Sequence, residues 1–188
     1  MSLLDRQTLM KIHALIAALI LPVALMFFVT GALYTWGVKG SYETTVHTIE
    51  LEQALQPQLH EMQAIVIEKL DSLALAAPTG NAKVKQLGTS FSLEWTGSNR
   101  DVILEPTQNL LTAELKIKDT SWYRNFVQLH KAKGGTLFKV YAAFLASALL
   151  VLLLSGFVMA WKTPRLRKAS VIASAVGIAT FVCMVALS

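Results

Sequence analysis

The sequence predicts an α-helical membrane protein of three spans that carries a small α+β domain outside the bilayer. Three observations carry this reading. Of 188 residues, 54% are hydrophobic and only 15% are charged, whereas an ordinary soluble domain carries about 25% charged residues. Three stretches, 14–36, 137–161 and 169–188, are long and apolar enough to cross about 30 Å of hydrocarbon, which takes roughly 20 residues. Between the first two lie residues 37–133, whose charges, turn sequences and alternating patterns belong to a domain in water.

The first span, Ala14–Trp36, is longer than the roughly 7–15 residues of a signal-peptide core and ends in bulky LYTWG, so it reads as a retained anchor. The stretch SYETTVHTIE that follows is polar, and its acids read first as a solvated turn. Residues 54–76 set Leu59, Met62, Ile65, Val66, Leu70 and Leu73 at helical spacing, with Glu61, Glu68 and Asp71 on other faces. After the turn-rich APTGNA come strand candidates at 83–88, 90–97, 100–106 and 110–118, separated by the turn sequences GSN and PTQN. One helix laid on one small antiparallel sheet buries these faces most economically. The second span, Leu137–Trp161, keeps Lys139 near an end, where its amine can snorkel to the headgroups. The third, Ala169–Ser188, is rich in Ala, Ser and Gly and suits a helix packed against the others. The single cysteine, Cys183, lies within it and reads as a small packing residue.

Basic residues set the orientation. Arg6 and Lys11 precede the first span, and Lys162, Arg165, Arg167 and Lys168 fill the loop 162–168. The positive-inside rule puts the N-terminal segment 1–13 and this loop in the cytoplasm, with the domain at 37–133 and the C-terminus on the far side. The net charge of +5 is therefore topogenic, and no nucleic-acid partner is expected. Neither a dinucleotide fingerprint nor a P-loop occurs, so a nucleotide reductant would have to act through another protein.

The first two spans echo each other. Thr30-Gly31-Ala32 leads to Trp36, and Ser155-Gly156-Phe157 leads to Trp161, with the same interval from Gly to Trp. One reading is structural: tryptophan at the membrane interface and glycine for close helix packing. The other is that each glycine clears space for a flat macrocycle; both can hold. Of the four histidines, His47 and His60 lie in polar surroundings and read as solvated. His13 and His130 each precede a span, and a histidine at a membrane boundary usually has a partner or a ligand.

The strand DVILEP, its turn and the strand that follows resemble the PepSY module, with Glu105 and Pro106 of EPTQN in place of the family's DP-x-TG-like turn. With the anchor, the "LH" before the second span and the small-Gly-to-Trp exits, residues 10–165 resemble the PepSY-associated transmembrane family, whose better-understood members are bacterial inner-membrane ferric reductases. The resemblance implies a PepSY-like periplasmic domain and reduction of ferric iron or a ferric chelate. It also implies haem b, held by His13 and His130 as axial ligands beside Gly31 and Gly156. No CxxCH motif exists for covalent attachment. Glu43, Glu50 and Glu52 are then hard oxygen donors that suit a ferric ion.

A rise of about 1.5 Å per residue puts His13 roughly 20 Å to the cytoplasmic side of the first span's centre. The same rise puts His130 about 30 Å to the outer side if its helix is continuous. Ligands of one iron approach within about 4 Å, so these two cannot share a haem in one subunit. Either a two-fold homodimer pairs each with its mate, or each takes another partner such as His47 or a Met. The electron donor is external, a quinol or a cytoplasmic reductase. A rival reading makes the protein a non-enzymatic anchored module that binds or restrains a periplasmic partner or an iron-transport assembly.

Overall fold

The computed structural model describes residues 6–88 and 90–188, so residues 1–5 of the N-terminal segment lie outside the described residues. The elements run α1 (Arg6–Thr35), β1 (Tyr42–Glu50), α2 (Leu59–Ser72), β2 (Ala82–Leu87), β3 (Ser90–Thr96), β4 (Arg100–Pro106), β5 (Thr112–Thr120), α3 (Trp122–His130), α4 (Thr136–Lys162) and α5 (Pro164–Leu187). Helices over Gln7–Thr35, Thr136–Lys162 and Pro164–Leu187 are long and apolar enough to cross a membrane. α1 starts before the apolar stretch because RQTLMKIH contains no helix breaker; hydropathy marks the lipid-facing part of a helix, not its end. Pro22 sits inside α1, as spanning helices tolerate.

The chain divides into two compact units, Met1–Ala24 with Ala143–Ser188, and Leu25–Ala142. In the first, Ile20 and Ala24 of α1 and Leu145 and Ala148 of α4 are buried. α5 buries none of its side chains, and Cys183 is exposed. The expectation that the third span packs against the others, with Cys183 as a packing residue, is thus not met within one chain. Apolar side chains cost nothing against hydrocarbon, so no hydrophobic force drives α5 onto its neighbours.

In the second unit a five-stranded antiparallel sheet has the order β1-β5-β4-β3-β2. α2 lays Met62, Val66 and Leu70 on one face, over Leu93, Trp95, Val102, Leu104, Leu115 and Ile117. Each of the three helix side chains contributes about 1.5–3 kcal/mol by leaving water. α2 is shorter than the periodic stretch 54–76 because Pro57 disfavours helix before it and Ala74, at φ 54°, ends it.

Two elements differ from the sequence reading. SYETTVHTIE is not a turn: Tyr42–Glu50 pairs along its whole length with β5 as an edge strand. Its β-branched residues favour the pleat, but most of its side chains stay exposed, so the alternation that marks a half-buried strand is missing. His130 does not lie on an extension of α4. It ends α3, and the chain then turns, with Lys131, Ala132 and Lys133 donating to the carbonyls of Val127, Leu129 and Gln128 and Ala132 at φ 57°. The depth expected for a continuous helix therefore does not apply.

Candidate functional site: two histidine seats

Each of the two membrane-boundary histidines is held by the hydroxyl-glycine pair of another helix. In the first unit, His13 of α1 meets α4. Its Nδ1 lies 2.8 Å from the Ser155 hydroxyl. A Cβ placed on Gly156 would stand 3.6 Å from the ring's Cε1. The Ser155 hydroxyl also reaches the Leu152 carbonyl at 3.1 Å, the back-bonding usual for a serine inside a helix.

In the second unit, His130 of α3 meets α1. Its Nδ1 lies 2.9 Å from the Thr30 hydroxyl, which donates to the Met26 carbonyl at 2.6 Å. Thr30 is almost fully buried. A Cβ on Gly31 would stand 3.1 Å from Cε1 of His130, closer than a Cβ comfortably approaches. The Phe27 ring leans on the imidazole at 5.0 Å between centroids and stacks on Phe138 at 6.5 Å. Among the described residues, no hydrogen-bond partner meets Nε2 of either histidine.

The glycines therefore have a use that neither sequence reading contained. Each opens the helix surface to the edge of an imidazole. The small residue before each glycine is not filler either, because its hydroxyl grips Nδ1. Sequence reasoning quoted Thr30 and Ser155 and missed that role; a hydroxyl directly before a glycine, opposite a boundary histidine, was the available signal.

His130 owes its position to a buried polar cluster joining α3 to the sheet. Ser121 caps α3 by accepting from the Arg124 amide. Gln128, fully buried, donates to the Asp101 carboxylate at 3.0 Å and to the Tyr42 hydroxyl at 2.9 Å. Tyr42 donates to the same carboxylate at 2.7 Å, the Gly97 amide donates at 3.1 Å, and Lys133 pairs with it at 3.3 Å. Arg124 lies over the Tyr42 ring and donates to its hydroxyl and to the Lys39 carbonyl. Burial and the hydrogen bond to Asp101 raise the Tyr42 pKa above the usual phenol value, against the lowering effect of Arg124. The cluster draws on β1, β4, α3 and the turn after it, so no local pattern reveals it.

The other expected site residues are dispersed. Glu43 faces Asp119 and Glu50 faces Thr112 in the β1–β5 register. About 3.3 Å per residue then separates these two by roughly 23 Å, too far to share an ion. Glu50 and Glu52 line an open cleft of about 790 Å³ with Glu61 and Glu68 of α2. Among the described residues, no three His, Cys, Asp or Glu side chains converge to hold a metal. His47 faces Leu115 from β1 and His60 is exposed on α2. Neither joins a seat.

A family model described as "PepSY-associated TM region" matches residues 10–182. No curated protein and no solved structure matches the chain.

Proposed function

Because the chain belongs to the PepSY-associated transmembrane family, we propose that it is a b-type haem electron carrier of the bacterial inner membrane, reducing ferric to ferrous iron at the periplasmic face in support of iron uptake. The observation that carries the reading is the repeated seat. Two histidines, one near the start of the first candidate span and one just before the second, turn Nδ1 to a helix hydroxyl and, among the described residues, leave Nε2 without a partner. Metal-ligating imidazoles are held in this way, with one nitrogen tied to an oxygen and the other free for the ion.

His13 and His130 would hold haem as axial ligands through Nε2, and Gly156 and Gly31 let the rings lie close to the helices that orient them. When bound, haem supplies one-electron chemistry at a potential set by its ligands and their surroundings. Each seat offers one imidazole, and a haem held by two would need another. A second copy of the chain is the economical source of the other, and the unpacked, small-residue-rich α5 suits such a contact. The donor is a quinol or a cytoplasmic reductase, because the chain has no nucleotide motif. The acceptor is ferric iron or its chelate, met by the periplasmic α+β domain.

The purified protein tests this directly. A b-type band in the reduced-minus-oxidised spectrum, and ferrous iron formed from a ferric chelate on reoxidation, are expected. A preparation that stays colourless when supplied with haem, and reduces no iron, would transfer the assignment to the anchored binding module.

A further inference from the structure

We infer that Thr30 is a positioning residue that locks His130 as its Nδ1–H tautomer and so presents a bare Nε2 lone pair as the ring's donor atom. The proton count requires it. A threonine hydroxyl carries one hydrogen and can accept more than one. Thr30 Oγ1 lies 2.6 Å from the Met26 carbonyl oxygen. Neither atom can donate to the other except through the hydroxyl proton, and two oxygens this close without a proton between them would repel. The proton of Thr30 is thus committed to Met26. At 2.9 Å from Thr30, Nδ1 of His130 must then supply the proton of the second bond. A neutral imidazole carries only one N–H, so Nε2 is left with its lone pair. Turning the ring over about its Cβ–Cγ bond would set the carbon Cδ2 against Thr30 in place of Nδ1 and forfeit this hydrogen bond, so the ring keeps its orientation.

The other seat serves as a control within the same chain. Ser155 lies 3.1 Å from the Leu152 carbonyl and 2.8 Å from Nδ1 of His13. Its single proton has two comparable destinations, so the hydroxyl can donate to Nδ1 or accept from it. His13 is held in place without being committed to one tautomer.

The lock stands on these hydrogen bonds alone. Its use, setting the ligand atom and basicity of His130 toward haem iron, rests on the function proposed above. A donated hydrogen bond from Nδ1 makes Nε2 a stronger electron donor, which favours ferric over ferrous iron and lowers the potential.

The experiment has two arms. In the first, the full chain with His13, His47 and His60 replaced by Gln is labelled with nitrogen-15 histidine and placed in lipid nanodiscs without haem. Long-range proton–nitrogen correlation at alkaline pH then reads the tautomer of His130. A single Nδ1–H form is expected, retained in Thr30→Ser and replaced by a mixture in Thr30→Val. An Nε2–H form, or a Thr30→Val spectrum identical to the parent, overturns the lock. In the second arm the otherwise native chain is loaded with haem and its midpoint potentials are measured. Thr30→Val should move one potential upward and Thr30→Ser should restore it. An unmoved potential overturns the tuning role. A locked tautomer in a chain that takes up no haem upholds the lock and overturns the haem reading instead.

Discussion

The two histidine seats use the same parts and differ in how tightly those parts are held. His13 lies within the regular backbone of α1, and its seat closes where one long helix meets another. His130 lies at a helix end and is carried there by a folded domain, through Gln128, Asp101 and Tyr42. The gap at glycine narrows from 3.6 Å to 3.1 Å between the two, an aromatic ring leans, among the described residues, on the second imidazole only, and of the two hydroxyls Thr30 has the committed proton. Apolar helices in lipid have little to force a unique contact beyond packing and a few hydrogen bonds. A water-facing domain has a hydrophobic core to set one geometry, and it extends that rigidity to the histidine it carries. Under the proposed function, this difference would tune one redox centre and merely house the other.

Removing the histidines should give the largest effects. Under the proposed function, His130→Ala or His13→Ala should each take away or convert a low-spin haem signal and bring ferric reduction by whole cells to background. His60→Ala should do neither, because its ring is exposed on α2. If either seat variant kept full haem and full reduction, that seat would be structural only and the comparison would collapse to a single site.

Next in size is the cluster that carries His130. Asp101→Ala leaves the Tyr42 hydroxyl and the Gly97 amide without their acceptor and takes one acceptor from the Gln128 amide, and should destabilise the domain by about 2–4 kcal/mol. Hydrogen exchange should quicken in α3 while α1 around His13 is unchanged; equal loosening at both places would mean that the domain does not single out one seat. Tyr42 adds a pH signature. Its raised pKa means the folded state holds the phenolic proton more tightly than the unfolded chain does. That contribution is whole below the unfolded value of about 10, and fades as pH climbs through the higher folded value. Tyr42→Phe should therefore lose less stability than the parent between pH 9 and 11, as read by thermal melts.

Replacing each glycine by alanine measures the seats themselves. Alanine gains about 1 kcal/mol in a helix interior. At Gly156 the added methyl meets Cε1 at ordinary contact, so Gly156→Ala should raise the melting temperature and leave the spectrum unaltered. At Gly31 the same methyl crowds Cε1, and overpacking of about 1–3 kcal/mol should cancel the gain and disturb the haem spectrum. Equal behaviour of the two variants would erase the distinction drawn between a tight and a loose seat.

Much of this was legible in the sequence, in a physically graded way. Long apolar runs mark the spans because lipid burial averages over many residues. The helix over Met62, Val66 and Leu70 and the strands from Val84 onward were legible because they bury one face each. β1 was not, since an edge strand with exposed side chains shows no alternation. Nor was α3, whose WYRNFVQLH buries only Val127 and Gln128. The grip of the neighbouring hydroxyls on Nδ1 and the Tyr42–Asp101–Gln128 cluster join residues up to 142 positions apart, beyond the reach of any local pattern. The turn before α4 was not legible either, because it rests on a left-handed alanine, Ala132, and not on a glycine.

That alanine gives the smallest prediction. After α3, the amides of Lys133 and Ala132 return to the carbonyls of Gln128 and Leu129, the pairing that closes a helix around one left-handed residue. The same closure ends α2, with Leu75 bonded to Leu70 and Ala74 at φ 54°. An alanine held left-handed costs about 1–2 kcal/mol, of which glycine would recover most. The freer unfolded chain of a glycine variant takes back about 0.4–1 kcal/mol. The net gain from Ala132→Gly or Ala74→Gly should thus be about 0.5–1 kcal/mol, similar at both helix ends when read as a shift in melting temperature. The two should part in a second readout. Ala132 is two residues beyond His130, so loosening its turn should weaken the single-tautomer signal of that ring, whereas Ala74→Gly should leave it intact. If Ala132→Gly stabilises the domain and the tautomer signal is equally sharp, the cluster at Asp101 alone holds the histidine and the strained turn contributes only the direction of the chain into α4.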